Sequence, residues 1–203
     1  GIEERFVEGH RVTLLRDGRE AFPAMLADIA GARRQILLEM YWFDSDATGR
    51  KFAAALGEAA KRGVEVAVIY DSLGSWEANR SMFDEMRESG IKVVEFNPLN
   101  PWRRSIRLER LSIRDHRKIL IVDGKIGFTG GINLADQWAP EEDGGQGWRD
   151  DTIRVHGPAV TGFIDCFKRT WNAEDGPPLT LQSETESGSF RSQRVRVLGE
   201  AYT

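Results

Sequence analysis

The stretch ILIVDGKIGF, residues 119–128, sets the fold prediction because it places an Asp-Gly pair between two apolar runs. Such a pair is the strongest short-range signal for a β-hairpin, since both positions of the tight turn need positive φ angles. If Asp123 and Gly124 form a two-residue turn, counting outward pairs Lys118 with Thr129. The sequence therefore predicts an antiparallel hairpin whose first strand starts near Lys118.

Polar residues and glycines lie at the open end of this predicted hairpin. His116 and Lys118 are two residues apart, so their side chains project from the same face of the first strand. The same count puts Gly131 opposite His116, and the pair Gly130-Gly131 leaves a space where a ligand can approach the backbone. Asn133 follows that gap. We therefore expect an imidazole, an ammonium and a carboxamide around an open space.

These three side chains suit a phosphodiester. A neutral histidine acts as a nucleophile, or as an acid and base, near pH 7. The lysine supplies positive charge for phosphoryl oxygens, and the asparagine amide adds a hydrogen-bond donor. None of the three histidines, His10, His116 and His156, has acidic or cysteine neighbours at a metal-ligand spacing. The set requires no metal and no other cofactor.

The spacing of these residues resembles the HKD signature of the phospholipase D superfamily. The matching positions are His116, Lys118, Asp123, Gly130, Gly131 and Asn133. The resemblance extends through most of residues 12–171. Residues 35–43, the Arg-x-His-Arg-Lys lead-in at 114–118 and the Trp-Arg-Asp triplet at 148–150 are similar to the first half of bacterial cardiolipin synthases.

The resemblance implies a two-step transfer on phospholipids such as phosphatidylglycerol. One motif's histidine attacks phosphorus to give a phosphohistidine, and the histidine of a partner motif protonates the leaving alcohol. Water or a second alcohol then takes the phosphoryl group. Only one such motif is present in this sequence. The resemblance therefore implies that a C-terminal half or a homodimer mate supplies the second motif.

Two other functions stay open at this point. A homodimeric nuclease or phosphodiesterase of the same superfamily would act on nucleic acid, and its binding would weaken steeply with added salt. A half-domain that binds anionic phosphates without turnover is the other. The net charge of −4 argues against nucleic acid. The basic run at residues 103–118 is either a solvated face or a surface that meets an anionic substrate, and in the second case it favours nucleic acid.

Three acidic residues accompany the motif. Asp123 belongs to the signature and is grouped with the catalytic residues, yet the hairpin count puts it in the turn, away from His116. Asp150 and Glu39 are candidates for orienting His116, because such a histidine needs a group that holds its tautomer. Glu39 lies in an apolar run, where a charge must be paired, so a structural arginine partner is the alternative.

The sequence offers residues that could contact a membrane surface but no segment that could span one. The apolar runs are strand-sized and no signal-peptide pattern opens the chain. We therefore expect no spanning segment within this chain, and the resemblance implies that it acts at the cytoplasmic face of a membrane. Five tryptophans are candidates for a lipid-facing mouth, although such residues more often fill a core. They are Trp42, Trp76, Trp102, Trp138 and Trp148.

The rest of the sequence alternates between strand and helix patterns. Predicted strands lie at residues 12–15, 35–43, 64–70, 91–96 and 152–155, and predicted helices at 20–33, 51–61, 76–89 and 159–171. This alternation predicts an α/β fold with a mixed, mainly parallel β-sheet flanked by helices on both faces. The resemblance implies the same arrangement, a phospholipase D-like α-β-α sandwich.

The organisation of the chain follows from its composition. Residues 1–173 are predicted to form one domain, and residues 174–193, rich in Ser, Glu, Gly and Pro, a flexible linker. Residues 194–203 turn apolar again and resemble the opening strand, which indicates the start of a second copy of the domain. Cys166 lies in an apolar helical pattern and is expected to be a small buried side chain. The histidines outside the motif are expected at the surface or the edge of the core.

Overall fold

The computed structural model describes residues 7–98, 115–180 and 193–197. Its strands are β1 (Val7–Arg16), β2 (Gln35–Met40), β3 (Glu65–Asp71), β4 (Lys92–Phe96), β5 (Lys118–Val122), β6 (Ile126–Gly130), β7 (Asp151–His156) and β8 (Gln193–Val195). Its α-helices are α1 (Asp17–Gly31), α2 (Ala47–Lys61), α3 (Arg80–Glu88) and α4 (Val160–Ala173). Two short 3-10 helices, Asp136–Trp138 and Glu141–Asp143, lie between β6 and β7.

The strands form one mixed sheet in the order β4-β3-β2-β5-β6-β7-β1-β8. Within the described residues, β2–β3 and β3–β4 are the parallel pairs, and every other neighbouring pair is antiparallel. The prediction of a mixed sheet is confirmed, but the expectation of a mainly parallel one is wrong. Strand and helix alternate only as far as β4, and the β5–β6–β7 turns that follow need no crossover helix.

Helices cover both faces of the sheet, as predicted. Alternate residues of a strand point to opposite faces. Ile36 and Leu120 therefore join the core beneath α1, α2 and α3, whereas Leu37 and Ile119 join the core beneath α4. The two sides of the segment that leads into β5 consequently face different surroundings.

The β5–β6 hairpin forms as predicted, but its register differs by one residue. Ile119 pairs with Thr129, whereas a two-residue turn places Lys118 at that position. Asp123 and Gly124 do have the positive φ angles that the pair predicts, 53° and 67°. The residue after them is an additional member of the turn, and this insertion shifts every later pair.

The α3 helix begins later than its apolar pattern predicts. Residues 72–79 form turns and an irregular loop at the end of β3. The Asp71 carboxylate holds this loop by accepting from the amides of Leu73 and Gly74. The side chain of Asn79 then caps the helix, which starts at the next residue.

The sheet extends past β1 through β8. Val7 pairs with Val195, and His10 pairs with Gln193. His10 is buried, its Nε2 accepts the amide of Ala159 at 2.7 Å, and its Nδ1 lies 3.2 Å from the carbonyl oxygen of Gln193. The backbone therefore engages both ring nitrogens, and His10 has a structural function in the core.

Several sequence predictions fall outside the described residues. These include the arginines between residues 103 and 114, Trp102, residues 181–192 of the predicted linker and residues 198–203 of the predicted second copy. The domain boundaries therefore stay a prediction. Cys166 is described and is buried in the core beneath α4, as expected.

Candidate active site

The predicted motif lies where the C-terminal end of β2 meets the N-terminal end of β5. These strands are antiparallel and Met40 pairs with Lys118, so Tyr41 and His116 come next to each other beyond the last pair. The two rings stack with centroids 4.2 Å apart and an angle of 27° between their planes. His116 is nevertheless exposed. Tyr41 thus supports one face of the imidazole at an edge of the sheet that solvent reaches.

Lys118 adjoins the same pair of rings. Its Nζ donates to the backbone carbonyl oxygen of His116 at 2.7 Å and lies 5.3 Å from the centroid of the Tyr41 ring. Partial burial lowers the pKa of Lys118, while the nearby carboxylates of Asp115 and Asp150 act in the opposite direction. The ammonium is therefore held beside His116 in surroundings where an anion would stabilise its charge.

Hydrogen bonds to the residues that follow β2 fix the position of Asn133. Its Oδ1 accepts from the amide of Trp42 at 3.1 Å. The amide of Leu134 donates to the carbonyl oxygen of Trp42, and the amide of Asp44 donates to that of Leu134, both at 3.0 Å. These bonds bring Asn133 to the segment that also carries Tyr41.

Gly130 and Gly131 make room for the protein itself. A Cβ atom at Gly131 would collide with the Asp150 carboxylate, and one at Gly130 would collide with the backbone carbonyl oxygen of Asp151. The amide of Gly131 also donates to that oxygen at 3.1 Å. The prediction of an empty space at Gly131 is therefore wrong, because the start of β7 occupies it.

Asp150 is accordingly part of the motif's surroundings. It is exposed, its Oδ1 accepts from the amide of Asp151 at 2.8 Å, and its charge raises the pKa of Lys118. The structure brings Asp150 to Gly131 and Lys118, and its hydrogen bond to the His116 ring stays a prediction. In the part of the chain that the structure describes, no group of three or more His, Cys, Asp or Glu side chains could hold a metal ion.

Asp123 lies at the opposite end of β5 from Lys118. Its Oδ1 accepts from the amides of Arg34 and Gln35 at 2.8 and 3.0 Å, and its Oδ2 accepts from the amide of Arg33 at 3.0 Å. The structure therefore does not bring Asp123 together with His116, although the signature contains both. Its contacts fasten the hairpin turn to the start of β2, as the hairpin count indicates.

Glu39 is fully buried on the face of the sheet that α4 covers. Its Oε1 accepts from Thr170 Oγ1 at 2.8 Å and lies 3.5 Å from a guanidinium nitrogen of Arg117. The arginine partner that the sequence offers as an alternative is thus present. Glu39 is on the opposite side of the segment from the His116 ring, and does not line the exposed edge.

Sequence reasoning missed two residues that shape this site. Tyr41 contacts both His116 and Lys118, and its signal was an aromatic residue near the end of the predicted strand 35–43. Asp71 is fully buried, and its Oδ2 accepts from the amide of Asp115 at 3.0 Å. Its signal was a carboxylate at the end of an apolar run, where only a bound partner makes burial tolerable.

The tryptophans divide between core and surface. Trp42, Trp138 and Trp148 form a chain of edge-to-face contacts with centroids 5.3 Å apart at each step. Trp138 is buried, whereas Trp148 is 50% exposed and Trp76 is 66% exposed. The described helices include none that is both long enough and apolar enough to span a membrane.

The sequence of this chain matches a known protein family. Residues 25–144 match the family described as "Cardiolipin synthase, PLD-like domain". The chain is 40% identical over 167 residues to the major cardiolipin synthase ClsA of Bacillus subtilis, a match that covers 82% of this chain and 34% of that protein. It is 32% identical over 166 residues to a cardiolipin synthase of Geobacillus, covering 82% of this chain and 32% of that one. The chain spans about a third of the length of these relatives.

Solved structures share the fold. Nuc, a phospholipase D family member from Salmonella typhimurium, superposes with a TM-score of 0.62 at 19% identity, covering 84% of this chain and 99% of that chain. NucT from Helicobacter pylori gives a TM-score of 0.62 at 18% identity, covering 80% and 96%. The family match covers more than half of the sequence, including the motif. The chain therefore belongs to the phospholipase D-like domain family of cardiolipin synthases.

Proposed function

We propose that this chain contributes one half of the active site of a cardiolipin synthase-like phosphatidyltransferase. The observation that carries the proposal is the gathering of His116, Lys118 and Asn133 at one edge of the sheet, by the ends of β2, β5 and β6. An imidazole, an ammonium and an amide are the groups that phosphoryl transfer uses for attack and for charge stabilisation. Membership of the family supports a phosphatidyl group as the group transferred.

In the proposed reaction, His116 is one of two histidines that act on a phosphodiester. A ring nitrogen of one histidine bonds to phosphorus as the bond to the leaving alcohol breaks, and the other histidine protonates that alcohol. An acceptor alcohol then attacks phosphorus, gives its proton to the second histidine and frees the first. Phosphatidylglycerol as both donor and acceptor would yield cardiolipin and glycerol. Water as the acceptor would give hydrolysis.

The other two residues would hold the phosphoryl oxygens. Lys118 offers an ammonium whose partial burial strengthens its attraction to an anion. Asn133 binds the Trp42 amide through Oδ1, which leaves its NH2 group to donate to a phosphoryl oxygen. Phosphorus would then lie between the His116 ring and these two donors.

The rim of the site supports a lipid surface as the place of action. Leu73 and Trp76 follow the C-terminal end of β3, and Trp148 precedes the N-terminal end of β7. These strand ends lie at the same edge of the sheet as His116 and flank it on both sides. All three side chains are substantially exposed, at 43%, 66% and 50%. Exposed tryptophans favour the boundary between lipid and water, and the cytoplasmic face of a membrane is our proposed location.

A homodimeric phosphodiesterase of the same family is the second candidate. This chain matches nearly the whole of Nuc, 99% of that chain, but only 34% of the Bacillus subtilis relative. A protein of this size is thus known as a complete chain of the same fold. A second copy of this chain is therefore an alternative source of the second motif. The net charge of −4 disfavours nucleic acid as the substrate of such a dimer.

Light scattering combined with activity assays separates the two candidates. Each chromatographic fraction would be tested on phosphatidylglycerol vesicles and on a small chromogenic phosphodiester, with His116→Ala as the inactive control. Cardiolipin formation that depends on His116 supports the phosphatidyltransferase. A dimer that cleaves the small phosphodiester or DNA, but leaves the lipid unchanged, supports the second candidate instead.

An inert monomer has to be tested for binding. If it binds inorganic phosphate through Lys118, the chain is a half-site that needs a second motif, as the first candidate requires. An inert monomer that binds neither phosphate nor phosphatidylglycerol vesicles contradicts both candidates.

A further inference from the structure

The segment that carries the motif has a second, buried side. His116 and Lys118 contact Tyr41, whereas the residues that alternate with them point towards α4. Arg117 donates through NH1 to Thr170 Oγ1 at 3.0 Å. Asp115 is only 1% exposed. Charged groups therefore face the protein interior directly behind the proposed catalytic residues.

Glu39 lies at the centre of this buried side. Its neighbours across the sheet are Ile69 of β3 and Ile119 of β5, both buried and apolar. Thr170 Oγ1 and Arg117 NH1 both donate to its Oε1. Its Oε2 is buried and has no hydrogen-bond partner among the residues that the structure describes. A buried oxygen without a partner is costly and indicates a missing hydrogen.

A second buried carboxylate, that of Asp115, lies within hydrogen-bonding reach of Glu39 and can meet this need. Burial raises the pKa of Glu39 well above its ordinary value, and Asp115 raises it further through hydrogen bonding and repulsion, while Thr170 and Arg117 act to lower it. Two ionised carboxylates are both acceptors and cannot bond to each other. A single proton between them converts one oxygen into a donor and removes one buried charge.

We propose that Glu39 and Asp115 share one proton, and that this carboxyl–carboxylate hydrogen bond positions His116 from behind. Arg117 then balances the one negative charge that remains on the pair. Glu39 acts on the segment that carries His116 and not on the imidazole itself, which separates it from Asp150. The positioning of a catalytic histidine rests on the function proposed above, whereas the shared proton does not.

The backbone contacts of Asp115 explain how the bond reaches His116. Asp71 accepts from the Asp115 amide at 3.0 Å, and the Asp115 Oδ1 accepts from the Arg117 amide at 3.2 Å. With Glu39 holding the side chain as well, the residue directly before His116 is fixed on three sides. A displacement of about 1 Å in a catalytic group costs about a hundredfold in rate, which sets the size of the expected effect.

Infrared spectroscopy tests the shared proton without any turnover. The difference between the spectra of the wild-type chain and Glu39→Gln near pH 7 should contain the carbonyl stretch of a protonated carboxylic acid, which moves in D2O. Glu88→Gln, at an exposed position, is the matched control and should give carboxylate bands alone. Carboxylate bands alone in the Glu39→Gln difference would overturn the proposal.

Histidine NMR signals test the positioning. The sequence has three histidines, so His116→Ala identifies the His116 signals directly. Glu39→Gln keeps a donor towards Asp115 and should leave these signals in place. Glu39→Leu is an apolar replacement beside Ile69 and Ile119, and it should shift them. In the complete enzyme, Glu39→Leu should lower kcat by about a hundredfold with little change in KM, while Glu39→Gln stays within about threefold of wild type.

The outcomes keep the two proposals apart. A folded Glu39→Leu chain with unchanged His116 signals would show that Glu39 does not position the histidine, and so would a shift with Glu39→Gln as large as that with leucine. If Glu39→Leu does not fold, the glutamine variant and the infrared band decide the matter. If the infrared band is present but the complete wild-type enzyme, with its second motif in place, has no activity on phosphodiesters, the shared proton stands and the proposed function fails.

Discussion

The two ends of β5 carry residues of one sequence signature, yet their surroundings differ. At the first end, His116 and Lys118 lie against Tyr41 at an edge of the sheet that solvent reaches. At the far end, the Asp123 carboxylate binds the backbone amides of residues 33–35. The first end therefore presents side chains to solvent, where we propose that the substrate binds, and the other holds two distant parts of the chain together. A sequence signature of this kind can therefore include residues that stabilise the fold as well as residues that are proposed to take part in the chemistry.

The largest effect should follow from removing the imidazole at the first end. His116→Ala should lower kcat by about a thousandfold or more in the complete active site, because it removes the imidazole that we propose as nucleophile or general acid. The melting temperature should stay close to that of wild type, since the side chain is exposed. Steady-state kinetics and thermal unfolding of the same preparation measure both. Activity near wild type in this variant would remove His116 from the mechanism.

Removing the ammonium beside it should have the next largest effect. Lys118→Ala should lower kcat/KM by about a hundredfold, because one charged donor that stabilises the phosphoryl group in the transition state is lost. Lys168→Ala is the matched control, since Lys168 is an exposed lysine on α4, on the other side of the sheet. Equal losses in both variants would indicate a general effect of charge and would place phosphate binding elsewhere.

The far end should show the reverse pattern. Asp123→Ala removes the acceptor of three backbone amides and should lower the free energy of unfolding by about 2–4 kcal/mol. The kcat/KM of the molecules that remain folded should stay within about threefold of wild type, since β5 separates Asp123 from the site. Chemical denaturation and kinetics test the two statements separately. A stable Asp123→Ala enzyme without activity would contradict the division between the two ends, and Asp143→Ala, at an exposed position, is the control.

The smallest effect should be a change in the pH dependence of phosphate binding at Lys118. Burial lowers the pKa of Lys118, so its positive charge is lost as pH rises through a value below that of an ordinary lysine. Asp150 opposes this shift, and Asp150→Asn should therefore lower the pKa of Lys118 further. Phosphate affinity, measured against pH by calorimetry, should then begin to fall at a lower pH than in wild type. An unchanged alkaline limb would mean that Lys118 does not set phosphate affinity.

Much of this division was predictable from local sequence. The Asp-Gly pair predicted the hairpin, and period-two alternation put His116 and Lys118 on one face, because both features depend on neighbouring residues. The same count placed Asp123 in the turn. The register was wrong by one residue, since the number of residues in a turn depends on backbone angles that the residue types only bias.

What sequence reasoning missed depends on contacts between distant parts of the chain. Tyr41 reaches His116 only because β2 pairs with β5, and a single sequence does not reveal which strands are neighbours. For the same reason Gly131 was interpreted as an open space, whereas the start of β7 brings Asp150 there. The parallel character of the sheet was overestimated because the alternation of strands and helices stops at β4.

The most direct test of the central claim is an NMR titration of this chain with inorganic phosphate, followed through its three histidine rings. We predict that the His116 signals move as phosphate is added, that those of His10 and His156 stay in place, and that Lys118→Ala suppresses the change. His10 is a strong internal control, because its ring is buried and bound to the backbone. Unmoved His116 signals, or equal shifts at all three histidines, would contradict a phosphate site at this end of β5.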